Sequence, residues 1–501
     1  MFLRWPLLRQ VTLAGEMCNL ARMKINHTIA SVCLLLGMIP LASFAQDGEA
    51  VAEIDLASTI AAYESTTNKI IESARAGNDG YLKLQELCDD IGHRLSGSES
   101  HAKALRWAEA TLKRDGHENV HAEEVMVRKW VRGNESCRLV EPRSLRIDML
   151  GLGGSIGTGA DGITAEVIVV DDKEELDSLE DDQVRGKIVV FNAAMPAYSD
   201  TDGSGYGATV KYRGNGATWA AERGGVAALV RSVTAYSLVS PHTGAMRYQA
   251  GVDKVPTAAI SIEAAMMLRR LQDRGKRCVV ELKMEARDEG EVPSANVMGE
   301  IVGRELPEEI VVIGGHIDSW DVGQGAQDDG AGCVAAMEAL NILRNLELQP
   351  RRTIRVVLWT NEENGTAGAK DYLERHRDEK HVAGIESDSG AYRPKGLSID
   401  MENDRQELVA MDQITSVMSL LKPMGAHRVN SGYSGVDVGK LKEIGAVCMG
   451  LEVDGRLYFN QHHTWADTVD KVNPKDLTDC AITLAVAAYV VADLPIQVGQ
   501  K

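Results

Sequence analysis

His316 and Asp318, then Asp328-Asp329-Gly330, Glu362-Glu363, Asp388 and His462-His463, are the residues of this chain whose types and spacing suit chemistry. A pair of divalent ions needs a bridging carboxylate, imidazole and carboxylate ligands at each ion, and a shared water whose pKa the ions lower. The chain supplies such a set. Asp328 has two oxygens with which to bridge. His316 and Asp388 would complete one ion, and Glu363 with a histidine of Gln461-His462-His463-Thr464 the other. Oxygen and imidazole donors without thiolate suit zinc, with cobalt or manganese as substitutes. Adjacent residues at a strand end point to opposite sides, so one glutamate of the pair can ligate while its neighbour faces the water. On this basis Glu362 is the general base and Glu363 the ligand. Asp318, two residues past His316, is a candidate to orient the imidazole. Taken singly these signals are weak, since a Glu-Glu pair is usually solvated and Asp-Asp-Gly is usually a turn. Their joint occurrence in one segment carries the expectation.

Positioning them falls to a series of strands. The apolar run Ile310–Gly314 leads into His316, Thr353–Trp359 into Glu362-Glu363, and Val382–Ile385 into Asp388, while Asp328 lies in a glycine-flanked loop ahead of a helical run from Ala331 to Leu343. In open α/β sheets ligands bind beyond the carboxyl ends of the strands, so these separate positions are expected to converge. From about Val292 strands alternate with helices, which implies a largely parallel sheet with crossover connections.

Upstream, Ile54–Ala74 and Ala102–Arg114 repeat apolar residues at helical spacing, with Ser98 or Ser100 as the cap of the second helix and His93 and Arg94 in the turn between as candidates to reach a cleft. From Arg138 the texture changes to short runs broken by glycine: Ala165–Val170, Gly186–Phe191, Gly225–Val230 and Ala258–Ser261. These read as an inserted β-rich module. The expected organisation is a leader over 1–45, the first part of a catalytic domain over 46–137, the insert over 138–290, and the metal-binding part over 291–501.

Whole-chain properties narrow the function further. A net charge of −19 argues against a nucleic-acid partner, which requires clustered Lys and Arg. Met23-Lys24, the apolar stretch Ile29–Leu41 and Ser43-Phe44-Ala45 have the layout of an export leader cut after Ala45, with Met23 as the expected initiator. That apolar stretch is too short to span a bilayer. Export to the periplasm or medium, with no membrane attachment after cleavage, is the expectation. Cys88, Cys137, Cys278, Cys333, Cys448 and Cys480 form no C-x-x-C pair and read as buried free thiols.

The runs Gly315-His316-Ile317-Asp318-Ser319-Trp320-Asp321, Gln327-Asp328-Asp329-Gly330, Leu358-Trp359-Thr360-Asn361-Glu362-Glu363 and Glu386-Ser387-Asp388, with Ser240-Pro241-His242-Thr243-Gly244 in the insert, resemble the co-catalytic zinc aminopeptidase and glutamate carboxypeptidase family, most closely its plasma glutamate carboxypeptidase group. The similarity runs from about Leu87 to the C-terminus. It implies an α/β zinc-peptidase domain with a mixed, mostly parallel sheet flanked by helices, interrupted by a protease-associated-like insert. It also implies two zinc ions per chain held by His316, Asp328, Glu363, Asp388 and His463, with Glu362 as base on a bridging water. The family pattern of histidine, small hydroxyl residue, two variable positions and acid fits His463-Thr464-Trp465-Ala466-Asp467, which favours His463 over His462. Unblocked dipeptides or short peptides are the implied substrates, and a homodimer the implied assembly. Two other readings compete. A glutaminyl-cyclase-like acyltransferase of related fold would use one metal, and a binding or receptor protein would need no intact ligand set.

Overall fold

The computed structural model describes residues 55–77 and 79–500, so the leader expected over 1–45 lies outside the described residues. Two eight-stranded sheets organise the chain. The first is built from β1 (Glu118–Val131), β2 (Arg287–Ile301), β3 (Leu306–His316), β4 (Arg352–Trp359), β5 (Lys380–Glu386), β6 (Pro394–Asp400), β7 (Arg428–Ser431) and β8 (Val447–Val453). Their spatial order is β1-β2-β4-β3-β5-β8-β6-β7. The central strands β4, β3, β5 and β8 run parallel, whereas β1, β2 and β6 pair antiparallel with their inner neighbours. The sheet is therefore mixed, with the parallel part in the middle. Val311, Ile313, Val356 and Ile385 are fully buried. Strands covered on both faces have this uninterrupted apolar character.

Helices Ala331–Asn345 and Pro474–Asp493 pack on one face of this sheet with much of the largest apolar core. On the other face Trp359, Tyr372, Val438 and Leu441 form a smaller core. The N-terminal α-helices are Leu56–Ala61, Glu64–Arg75, Asp79–Gln85 and Glu99–Arg114, and the last is capped by Ser98, whose hydroxyl accepts from the His101 N–H.

The second sheet begins at Glu135 and ends at Met284, and its middle is four parallel strands: Ile163–Val170, Ile188–Phe191, Ala227–Arg231 and Thr257–Ile260. Helices Tyr206–Glu222 and Ile262–Asp273 accompany it, so this part of the chain is α/β and not merely β-rich. The longer helix is hard to read from sequence because Gly207, Gly214 and Gly216 interrupt it, and glycine lowers helix propensity by roughly 1 kcal/mol per residue. Packing compensates: a Cβ on Gly216 would stand 3.2 Å from the Phe191 ring, so the glycine permits close approach of helix to sheet.

The sheets are fastened at one junction. Arg132, just past β1, forms a buried fork with Asp321, its Nε donating to Oδ2 at 2.9 Å. Trp320 fills the space over Gly153, where any Cβ would overlap its ring, and meets Trp130 edge-on. All six described cysteines are free and buried. Among the described residues no helix is long and apolar enough to cross a membrane.

Candidate metal centre

Strand register brings the candidate ligands together. Across β3, His316 is level with Trp359 of β4, and Gly314 with Glu386 of β5. The three chains thus leave the sheet along one edge. Glu362 and Glu363 follow β4 through a turn in which Asn361 has φ +66, and Asp388 follows β5. Asp328 is brought over the same edge by the loop that links His316 to the helix Ala331–Asn345.

Around Asp328 the donors form two triplets, one at each carboxylate oxygen. Oδ1 lies 3.3 Å from Nε2 of His316, which lies 3.2 Å from Oδ1 of Asp388. Oδ2 lies 3.2 Å from Nε2 of His463, which lies 3.0 Å from Oε2 of Glu363. Zinc ligands at about 2.0–2.1 Å in a tetrahedron stand about 3.3 Å from one another, which these separations match. Asp328 Oδ2 and Glu363 Oε1 are buried without a hydrogen-bond donor, as expected of atoms that would otherwise face a cation. The residues present therefore fit zinc.

His462, with Asp328 and His463, also forms a group whose donor atoms lie within 4.8 Å of one another, but it is the less direct neighbour of Asp328. Its Nε2 is 3.7 Å from Asp328, and its ring stacks on His463 with centroids 3.4 Å apart. Glu362 belongs to neither triplet; it borders the cavity, with Oε2 4.0 Å from Nε2 of His316.

The charge pattern follows from burying four carboxylates beside two imidazoles. Burial raises Glu362 well above the ordinary carboxylate range, His316 opposes this, and Asp388 and Glu363 reinforce it. Burial is also the main cause that lifts Glu363 to about 7. Burial works against a charged His316, but Asp388 and Asp328 overcome it and hold the imidazole well above its usual value.

Supporting groups fix the arrangement. Nδ1 of His316 faces the backbone carbonyl of Asp318 at 3.0 Å, whereas the Asp318 carboxylate is 3.8 Å away. The Asp318 carboxylate instead accepts from the Glu362 N–H at 3.1 Å and the Ser96 hydroxyl at 2.9 Å. Asp318 thus orients His316 through its main chain and the Glu362 turn through its side chain. Asp467 accepts from the N–H groups of Gln327 and Asp328, pinning the bridging loop. Nδ1 of His463 faces the Thr243 carbonyl at 3.2 Å, so the Ser240–Gly244 motif, in a loop between strands of the second sheet, seats a candidate ligand.

Further groups support the site from behind. Asp329 is fully buried and accepts from the His316 and Gly332 N–H groups. It sits against Gly315, where a Cβ would be 2.2 Å from its Oδ2. Arg94, fully buried, donates to the carbonyls of Gly92, Ile317, Gln324 and Gly325, holding the loop between His316 and Asp328 from behind. It supports the cleft without reaching it, and His93 beside it is exposed. Glu386 accepts from the N–H groups of Val436, Asp437 and Val438 and anchors the loop above the site. Between the sheets lies an open cavity of about 1060 Å³, with Tyr198, Tyr206 and Arg213 on one wall and Asp388, Tyr458 and His463 on the other.

Residues 296–488 match the model of Peptidase family M28. Carboxypeptidase Q of Mus musculus is 42% identical over 440 residues, covering 87% of this chain and 91% of the mouse protein. The crystal structure of a Peptidase M28 precursor from Shewanella amazonensis superposes with a TM-score of 0.82 at 34% identity, over 88% of this chain and 98% of that one. A zinc aminopeptidase from Bacillus subtilis shares the fold at a TM-score of 0.60 and 16% identity, over 84% of this chain and 96% of its own. With the site at the strand ends and a relative matched along nearly its whole length, this chain belongs to peptidase family M28 and is a metallopeptidase.

Proposed function

We propose that this protein is a di-zinc exopeptidase that hydrolyses unblocked dipeptides or short peptides. The observation that carries the reading is the pair of donor triplets sharing Asp328, one at each oxygen. His316, Asp328 and Asp388 would hold one ion, and His463, Asp328 and Glu363 the other. Zinc bound there supplies Lewis-acid polarisation of the scissile carbonyl and acidifies the attacking water. The remaining roles belong to the chain. Glu362, free of both triplets, takes a proton from the attacking water and returns it to the leaving amine. Asp318 holds the Glu362 main chain in place, and the two histidines present Nε2 inward because Nδ1 of each faces a carbonyl.

A cleft walled by two sheets favours short substrates over folded chains. The second sheet acts as a protease-associated-like module that forms the far wall. Export after removal of residues 1–45, a periplasmic or secreted location, and a homodimer complete the reading. The test is metal analysis beside a mass-spectrometric screen of dipeptides and tripeptides. Two zinc ions per chain with amide hydrolysis are expected; one ion per chain without amide hydrolysis would overturn the reading in favour of a cyclase-like acyltransferase.

A further inference from the structure

Outside the cleft, two histidines aim the same ring nitrogen at one carboxylate. They meet at β1, which among the described residues ends the first sheet and has no strand on its outer side. His121 and Glu123 are two apart on β1 and so share a face. His376, the C-terminal cap of the helix Ala367–Arg375, reaches the same point from the neighbouring element. Its Nε2 is 3.0 Å from Oε2 of Glu123, and Nε2 of His121 is 3.3 Å from Oε1. The Arg375 guanidinium donates to the Glu124 carbonyl at 2.7 Å and ties the helix end to the strand there.

What fixes the two rings is the other nitrogen. Nδ1 of His376 is 3.1 Å from Oε2 of Glu379, an oxygen that also accepts from Arg355 at 2.7 Å. Nδ1 of His121 is 2.6 Å from the Asn119 carbonyl. A bulge places that carbonyl: the three steps of β1 from Glu118 to His121 are matched by two steps of β2, from Glu300 to Met298. Asn119 takes the left-handed φ of +51, and its amide donates to Glu300 at 2.6 Å. A proton held on Nδ1 by an oxygen leaves the Nε2 lone pair for a cation. His316 and His463 at the metal centre are held in the same way.

An ion pair accounts for only part of this. One imidazolium would satisfy Glu123, yet two rings converge on it, at 3.0 and 3.3 Å, close to the roughly 3.3 Å that separates neighbouring zinc ligands. For one ion to touch all three donors His121 must swing inward, and its side chain, 49% exposed, has the room. We propose that His121, Glu123 and His376 form a zinc site at the edge of the first sheet, separate from the cleft, with Glu379 orienting His376 and water completing the ion. Two imidazoles and a carboxylate with one open position are a zinc donor set. Bound there, zinc clamps the helix Ala367–Arg375 to β1, a contact that a proton on His376 makes in the absence of the ion. Three donors, one of them half exposed, make this the weaker site, filled after the metal centre and lost on dialysis. The inference does not depend on what the cleft hydrolyses.

The test titrates zinc into metal-free wild type and His121→Ala in competition with a chromophoric chelator, and follows Tm alongside. His121 is a surface ring, so the two metal-free proteins should melt alike. Wild type should then take up one ion per chain more than His121→Ala, whatever number the cleft holds in both. Its Tm should rise further as that ion binds, a rise that the variant lacks. Glu379→Gln should keep the additional ion and bind it about 10–100-fold more weakly, because it removes the group that orients a ligand and not the ligand itself. Equal uptake by wild type and His121→Ala across the titration would overturn the site. So would a Glu123→Gln variant that retains the additional ion with wild-type affinity.

Discussion

Glu362 and Glu363 are adjacent in sequence and separate in role, which makes them the sharpest test at the residue scale. Glu363 stands in a donor triplet with His463, while Glu362 borders the cavity outside both triplets. Glu362→Gln should keep near-normal zinc and lose several orders of magnitude in kcat, because removing a base need not remove a ligand. Glu363→Ala should lose zinc. Metal analysis beside kinetics decides, and demetallation of Glu362→Gln would reverse the assignment. The two histidines offer a parallel contrast. His463 is 3.2 Å from Asp328 and His462 3.7 Å, with only His463 also near Glu363. His463→Ala should weaken zinc binding strongly and His462→Ala much less, as read by competition with a chelator; the opposite order would move the ligand to His462. Glu362 and Glu363, like His316 and Asp388, were legible in sequence because each follows an apolar strand, and strands in parallel register end at one edge; His462 and His463 follow the short helix Tyr458–Gln461 and were legible only through the family pattern. The part played by Asp318 was only half legible: its position near His316 is evident, but whether carbonyl or carboxylate meets the ring depends on the turn of the loop. Arg94 was legible only as a turn residue that could reach a cleft, and its buried place behind the His316–Asp328 loop was not, since a lone arginine has no spacing to read.

At the element scale, the helix Ala367–Arg375 is held by charge at its C-terminal end. His376 caps it, with Nε2 3.0 Å from Glu123 of β1 and Nδ1 3.1 Å from Glu379 just ahead of β5. Burial disfavours the imidazolium, but the two carboxylates overcome it and raise His376 to about 9. Burial likewise opposes the charge on Glu379, and His376 with Arg355 bring it down to about 2. A histidine raised from its ordinary value of 6.5 stabilises fully below that value, and its contribution disappears as pH rises through about 9. The depressed glutamate contributes above its ordinary value of 4.5, and that contribution fades as pH falls towards about 2. Comparing wild type with His376→Gln isolates the histidine. Their Tm difference should be largest near pH 6 and shrink through about pH 9; a difference independent of pH would show that packing, not charge, is what His376 contributes. The helix Tyr206–Glu222 shows the other side of legibility at this scale. Its glycines read as breaks, whereas Gly216 lies against Phe191, and Tyr212, Ala217 and Ala220 bury the same helix in the core.

For the whole molecule, the question is whether the cavity between the sheets is a gap that widens or a chamber of fixed size. The junction favours the fixed chamber. The Arg132–Asp321 fork is buried, Trp320 is keyed over Gly153, and Thr243 of the second sheet both donates its N–H to the His463 carbonyl and faces Nδ1 of the same residue. Moving the second sheet away would therefore disturb His463, a proposed zinc ligand, so admission of a long chain and integrity of the proposed site oppose each other. The cavity of about 1060 Å³ then sets an upper limit on what is cut. Exported protein should begin near Gln46 by intact mass, whether expression starts at Met1 or Met23, and light scattering should give twice the mature chain mass. That protein should cleave dipeptides and spare intact casein. A monomer that digests casein readily would show that the far wall opens, and would remove both the size limit and the assembly from the proposed function.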